Sequence, residues 1–386
     1  MEHAGFLRMI KLRLSRKAEY TDEEKNHLPA VQNGAFARIA GQNGGNFILW
    51  IGHASFLVRA GGEYWLTDPV FSKRALLPAR RTPPGMSARE VNGLGGRLNV
   101  VISHNHYDHL DSASIRGLRD DARFFVPKGL GGYIRSLGKK DVVEMDWWEE
   151  RDLGGGRKMV CLPMQHWSLR IGQGRNTTLW ASFLIITPER KVYFAGDSGY
   201  FIGYREIGRR WPHIDYVLMP VTAYHPRWFM HYAHMNADEA LDAFADLGAR
   251  HFIPTQWGTF HLGDEPPGYP ALDLQRKIRE RGLDASRFHR TQDELHRRLR
   301  ARVERAFGGL VSGHVLVVRI GQVLDAAEHL DVLHDPVRGV QVQPVVVVER
   351  YIMRGPSLKP YVITLAAVGV REVEIPAGKE GPGEVG

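Results

Sequence analysis

Apolar and polar positions alternate regularly only after the Gly/Asn-rich stretch 41–46, so residues 1–45 read as an irregular N-terminal segment. Residues 47–51 and 55–60 then read as strands, and Gly61-Gly62 turns the chain into a third at 64–67. A short buried strand is predicted at 99–103, followed by a helix capped by Asp111 or Ser112. Residues 123–126 form the next predicted strand and 130–137 the next helix. A second series repeats the theme, with strands at 158–162, 180–186, 191–195, 216–220 and 252–255. Its helices are predicted at 201–210, 236–247 and 272–281. Asn236 and Glu239 stand at capping-box spacing, which marks one of these N-termini. Two strand-rich halves with interspersed helices predict an α+β fold, a β-sandwich with helices outside. No fixed-period repeat runs through the chain.

Near residue 290 the pattern changes. Residues 290–305 are basic and helical in pattern, with Leu295, Leu299 and Val303 on one narrow stripe. Val-rich pieces at 315–320, 342–348 and 361–368 read as strands, and 376–386 reads as disordered. The expected division is an N-terminal segment 1–45, a folded domain 46–289, and a partly disordered C-terminal extension 290–386 without an assigned role.

Composition narrows the chemistry. The single cysteine, Cys161, rules out an internal disulfide and a Cys-based metal site; it reads as a small buried hydrophobe. With 18 histidines, any metal chemistry must use imidazole and carboxylate. No apolar run is long enough to span a bilayer, and the first twenty residues lack a signal-peptide core, so a cytoplasmic protein is expected. The net charge of +8 suits anionic partners, although solubility alone is the better account of it.

One segment carries the chemical signal. The hydrophobic strand Val100-Val101-Ile102-Ser103 runs directly into His104-Asn105-His106-Tyr107-Asp108-His109. Alternate residues of an extended chain point the same way, so His104 and His106 can meet at one ion. Asp108 and His109, in the turn that follows, can serve a second ion nearby. The plainer reading is a solvated His-rich loop with Asp108 as a cap, but a strand end is where open α/β sites form. Further candidates also stand at strand ends: His166 after 158–162, and Asp197 after Val192-Tyr193-Phe194-Ala195-Gly196. Gly196 would let the backbone pass close to the site.

These residues resemble the metallo-β-lactamase superfamily and, within it, the N-acyl-phosphatidylethanolamine-hydrolysing phospholipase D family. The matching motifs are Thr67-Asp68-Pro69-Val70-Phe71-Ser72, the His104–His109 run, Asp146-Trp147-Trp148-Glu149-Glu150, Gln165-His166-Trp167, Phe194-Ala195-Gly196-Asp197-Ser198-Gly199-Tyr200, Pro226-Arg227-Trp228-Phe229-Met230 and Trp257-Gly258-Thr259-Phe260. The likeness covers about residues 47–285. It implies a four-layer αββα sandwich with two zinc ions. It also implies a phospholipase D-type phosphodiesterase that releases phosphatidic acid and an N-acylethanolamine through a metal-activated hydroxide. By the same likeness His104, His106 and His166 would hold one zinc, Asp108 and His109 the other, and Asp197 would bridge them. His234 would be a histidine beside the metals that activity needs, and Asp68 a strand-end aspartate that supports the site. One position departs. Gln256 stands where the family usually has a histidine, and an amide oxygen is a weaker ligand than imidazole. The second zinc site is then weak, or completed by another residue such as His261. Phe288-His289-Arg290-Thr291 also fails to lead into the family's usual closing strand.

The resemblance makes Asp108, Asp197 and His234 the expected catalytic residues. Tyr224, Arg227 and Trp228 could form an apolar lip for an acyl chain with Arg227 near phosphate, or a loop packed on the core. Lys73-Arg74, Arg80-Arg81 and the basic stretch 290–305 could touch an acidic membrane, so a peripheral position on its inner face is compatible. The competing expectation is a metal-dependent lactonase, or another hydrolase of soluble phosphorylated substrates. Without a separate RNA-binding arm, nucleic acid is not an expected partner. A binding protein with an impaired metal centre is the third reading that Gln256 allows.

Overall fold

Each strand predicted between residues 47 and 255 forms, and two more join them, giving two six-stranded mixed sheets. In the computed structural model, which describes residues 18–31, 34–41, 45–289, 346–354, 357–365 and 370–372, the first sheet holds β1 (Phe47–Gly52), β2 (Ser55–Ala60), β3 (Glu63–Thr67), β4 (Leu98–Val101), β5 (Arg123–Pro127) and β6 (Val142–Met145) in sequence order. The first three pair antiparallel and the rest parallel. The second sheet holds β7 (Glu150–Gly154), β8 (Arg157–Leu162), β9 (Ser182–Ile186), β10 (Lys191–Phe194), β11 (Tyr216–Pro220) and β12 (His251–Thr255). Here β7 to β10 pair antiparallel and β10 to β12 parallel.

The two strands that pattern reading missed explain themselves. β6 has only four residues, and β7, at a sheet edge with the sequence ERDLG, is largely exposed and shows no apolar alternation. The stretch before β1 is also less irregular than expected. It contains the helices Asp22–Asn26 and Ala35–Gly41, the first closed by a Thr21/Glu24 capping box.

Because successive strand residues face opposite ways, each central strand feeds two cores. Phe56, Trp65, Val101 and Phe125 of the first sheet meet Met159, Cys161, Phe183 and Phe194 of the second in a layer between the sheets. The alternate residues Leu57, Val100, Phe124 and Val126 pack outward against Ile115 and Ile134 of the helices Ser112–Gly117 and Gly131–Ser136. On the other side Val160, Leu184, Tyr193 and Val217 pack against Ile207, Leu241, Phe244 and Leu274 of the helices Gly203–Arg210, Ala237–Leu247 and Tyr269–Glu280. The result is helix, sheet, sheet, helix: the expected four-layer sandwich.

The chain divides into two compact units, Met1–Thr291 and Gln292–Gly386. In the second, Val346–Arg354, Ser357–Leu365 and Val370–Glu372 form an antiparallel three-stranded sheet. The predicted strand at 315–320, the basic stretch 290–305 and the tail 376–386 lie outside the described residues. Among the described residues, no helix is long and apolar enough to cross a membrane.

Candidate metal centre

Strands β1, β3 and β4 run the same way, as do β8, β10 and β12, and the polar residues that follow their ends converge. At the end of β3 the buried Asp68 takes a left-handed backbone (φ 30°). Its carboxylate accepts from the Ser103 backbone N–H (2.7 Å), the Ser103 hydroxyl (2.5 Å) and His109 Nδ1 (2.6 Å). These bonds tie the end of β3 to the turn after β4. They also hold the His109 ring with Nε2 turned away from Asp68. The turn closes where His106 O accepts the N–H groups of His109 and Leu110, and Asp111 caps the next helix through the Ala113 N–H.

Two overlapping groups of ligand-type atoms result. In the first, His106 Nδ1 lies 2.8 Å from His104 Nε2 and 3.2 Å from His166 Nε2. Asp197 Oδ2 stands 3.9 Å from His104 Nε2 and 3.6 Å from His166 Nε2. His166 Nδ1 lies 3.1 Å from the Ala233 carbonyl, which can only accept, so the proton sits on Nδ1 and the Nε2 lone pair faces the group. In the second, Asp108 Oδ2 lies 3.0 Å from His53 Nε2 and 3.3 Å from His109 Nε2. Asp197 Oδ1, 3.1 Å from His109 Nε2, links the two groups. His104, His106, His166 and Asp197, and separately His53, Asp108 and His109, each bring one atom within 4.8 Å of the others.

The electrostatics suit a cation. Burial holds the pKa of His104 and His166 well below the ordinary imidazole value and that of His106 down at about 4, so these rings are neutral lone-pair donors. Burial would raise the Asp108 and Asp197 carboxyls, but His109 beside them outweighs it and both stay ionised. His106 Nε2 is buried without a hydrogen-bond partner, which is costly unless something else satisfies it. Imidazole and carboxylate donors without thiolate fit several first-row divalent metals.

Gly196, just before Asp197, has φ 63°, and a Cβ there would come within 2.7 Å of Ser103 Cβ. Only glycine lets β10 deliver Asp197 this close to the turn after β4.

Other expected site residues are placed differently. Tyr224 is buried and its hydroxyl donates to Asp273 (2.9 Å), so it is a core residue, not a substrate lip. Arg227 Nη2 donates to both carboxylate oxygens of Glu239 (2.7 and 2.8 Å) and Nη1 to the His234 carbonyl, so its guanidinium is already committed. Trp228, half-buried, packs edge-on to Phe229. His234 stacks edge-on against His166 at 5.2 Å, and its buried Nδ1 has no partner. His261 is exposed and belongs to neither group. Gln256 Nε2 donates to the Gly196 carbonyl (3.2 Å) and to Asp197 Oδ1 (2.5 Å). A carbonyl cannot donate, so the amide presents nitrogen here, and Gln256 is a hydrogen-bond donor to Asp197 where an oxygen ligand was expected.

Two contributors escaped sequence reading. His53 immediately follows β1, the same strand-end pattern that exposed His166, but nothing else near it was polar enough to draw notice. Arg170 has no such signal. From a long loop its buried guanidinium donates to the carbonyls of Asn105 and Leu110 and to Ser112 Oγ, and lies over the Tyr107 ring at 4.2 Å. It holds the His-rich turn from its outer side.

A sequence profile described as "Beta-lactamase superfamily domain" matches residues 64–257. An uncharacterized protein of Mycobacterium tuberculosis is 36% identical over 258 residues, 64% of this chain and 66% of that protein. N-acyl-phosphatidylethanolamine-hydrolyzing phospholipase D 1 of Caenorhabditis elegans is 34% identical over 236 residues, 57% of this chain and 65% of that protein. The chain thus spans just under two thirds of the length of these relatives. Among solved structures, the isothiocyanate hydrolase from Delia radicum gut bacteria is similar in fold, with a TM-score of 0.51 at 16% identity, over 63% of this chain and 95% of that one.

Proposed function

Since the chain belongs to the metallo-β-lactamase superfamily, we propose that it is a metal-dependent hydrolase, and specifically a zinc phosphodiesterase that hydrolyses N-acyl-phosphatidylethanolamine-type phospholipids to N-acylethanolamine and phosphatidic acid. The observation that carries the metal half of this reading is the meeting of His104, His106 and His166 with Asp197, beside Asp108 and His109. The kinship with the worm phospholipase D supports the substrate half. When bound, divalent cations here would acidify a ligated water and screen charge on the phosphoryl oxygens.

The chain's own residues have definable parts in this reading. His104, His106 and His166 offer neutral imidazoles, and Asp197 offers one oxygen to each group. Asp68 and the Ala233 carbonyl fix the ring orientations of His109 and His166. His234, against His166 with a free Nδ1, is positioned to pass a proton to a departing alkoxide.

A lipid substrate finds support around the centre. Leu77 (76% exposed), Ile171 (80%) and Ile202 (69%) lie in the segments that follow β3, β8 and β10, the same segments that carry Asp68, His166 and Asp197. Exposed large apolar side chains suit an apolar surface, and Lys73 and Arg74 precede Leu77 in the chain. The site of action in this reading is the cytoplasmic face of a membrane, touched peripherally.

The test is an assay of zinc-loaded protein on N-acyl-phosphatidylethanolamine in mixed micelles, beside a soluble phosphodiester and a phosphorylated sugar lactone. Release of N-acylethanolamine is the expected result. Turnover of the lactone with none of the phospholipid would replace the proposal with the lactonase reading.

A further inference from the structure

We infer that His53 joins Asp108, His109 and the shared Asp197 as the fourth protein ligand of the second cation, and that Gln256 positions Asp197 without binding metal. This rests on the metal-dependent reading above and is independent of the substrate. The two residues are locked together. Gln256 N–H donates to the His53 carbonyl (3.0 Å), and His53 Nδ1 lies 3.2 Å from the Gln256 carbonyl. Both have left-handed backbones, φ 55° at His53 and 75° at Gln256. A tight double contact of this kind over-determines a costly conformation, which is characteristic of functional sites. The His53 N–H further donates to Thr259 Oγ1 (2.9 Å), and the His53 carbonyl accepts from Trp50 Nε1 (2.8 Å).

The ring chemistry follows from the partner of Nδ1. A carbonyl only accepts, so the proton is on Nδ1 and the lone pair is on Nε2. That lone pair faces Asp108 Oδ2 at 3.0 Å. Two acceptors so close repel unless a cation or an added proton sits between them. Donor atoms sharing one tetrahedral zinc lie ~3.3 Å apart. The separations His53–Asp108 (3.0 Å), Asp108–His109 (3.3 Å) and His109–Asp197 (3.1 Å) all match. His53 is fully buried and makes an edge contact with the His109 ring at 5.3 Å, so its side chain is held in place. The amide of Gln256, turned nitrogen-first into Gly196 and Asp197, cannot supply the missing ligand. It orients Asp197 toward His109 instead.

The experiment is metal stoichiometry and affinity on chelator-stripped full-length protein reloaded with zinc, by elemental analysis and calorimetry. Wild type should bind two equivalents. His53→Asn, chosen because asparagine tolerates positive φ and is too short to reach the site, should keep the first and weaken the second at least ~10-fold. Gln256→Ala should keep both. Retention of two wild-type affinities by His53→Asn overturns the assignment, as does a wild type that takes only one cation or a Gln256→Ala variant that alone loses the second. If His53→Asn does not fold, wild type loaded with two cobalt(II) ions decides the matter by proton NMR. Hyperfine-shifted signals from five imidazoles (His53, His104, His106, His109 and His166) support the inference, and four overturn it. Wild type that binds no metal would instead sink the metallohydrolase reading, so the two failures are distinguishable.

Discussion

The two sheets supply the centre in opposite ways. The first delivers most of its share in one unbroken turn, His104 to His109, braced from inside by Asp68 and from outside by Arg170. The second delivers single residues, His166 after β8, Asp197 after β10 and Gln256 after β12, each on a different strand end. A contiguous turn concentrates ligands but depends on braces that are not ligands themselves. Each dispersed ligand has a single orienting contact of its own, the Ala233 carbonyl for His166 and Gln256 for Asp197, and depends besides on the register of its own strand.

The comparison is broken most severely at Asp197, the dispersed residue that touches both groups. Asp197→Asn should lower turnover by ~1000-fold or more while the fold persists, since the carboxylate charge is lost from both. Steady-state kinetics with metal analysis checks this, and full activity with both metals retained would remove the shared role. On the contiguous side, Asp68→Asn leaves every ligand in place but weakens the hold on His109. Cation affinity should fall ~10–100-fold, read by chelator competition. Arg170→Met leaves the Asn105 and Leu110 carbonyls without their donor. It should cost about 2–3 kcal/mol of stability in denaturant titration, with the stoichiometry of bound metal unchanged. The smallest effect belongs to Arg227→Ala. Because Arg227 is half-buried and paired with Glu239, it should lose about 1 kcal/mol or less, with KM unaltered. A large rise in KM would return Arg227 to the substrate-contacting role that the sequence suggested.

Legibility in the sequence followed the same divide. The unbroken run and its strand were readable because ligand-type residues and an apolar segment are neighbours in the chain. His166 and Asp197 were readable because each ends a patterned strand. His53 met that criterion too and was passed over, since one histidine after Ile51-Gly52 carries no local signal; only the crossing of the 256 loop gives it a partner. Arg170 could not have been found at all, because its role lies in contacts 58 to 65 positions away along the chain. For Tyr224 and Arg227 the sequence left a substrate lip and a core-packed loop undivided, for a related reason. Their side chains are spent on Asp273 and Glu239, and a motif shows which residue is present but not what it is bonded to. The fold was easier, because period-two runs buried on both faces declare themselves; the exposed edge strand β7 has no such pattern.

The position of the centre on the seam between the sheets has a mechanical consequence. The first group draws His104 and His106 from one sheet and His166 and Asp197 from the other, so a bound ion is a rivet through both. The polypeptide link there is only residues 146–149, between β6 and β7. An ion so held can bind only once the halves have closed, and stripping it should let them part at lower temperature.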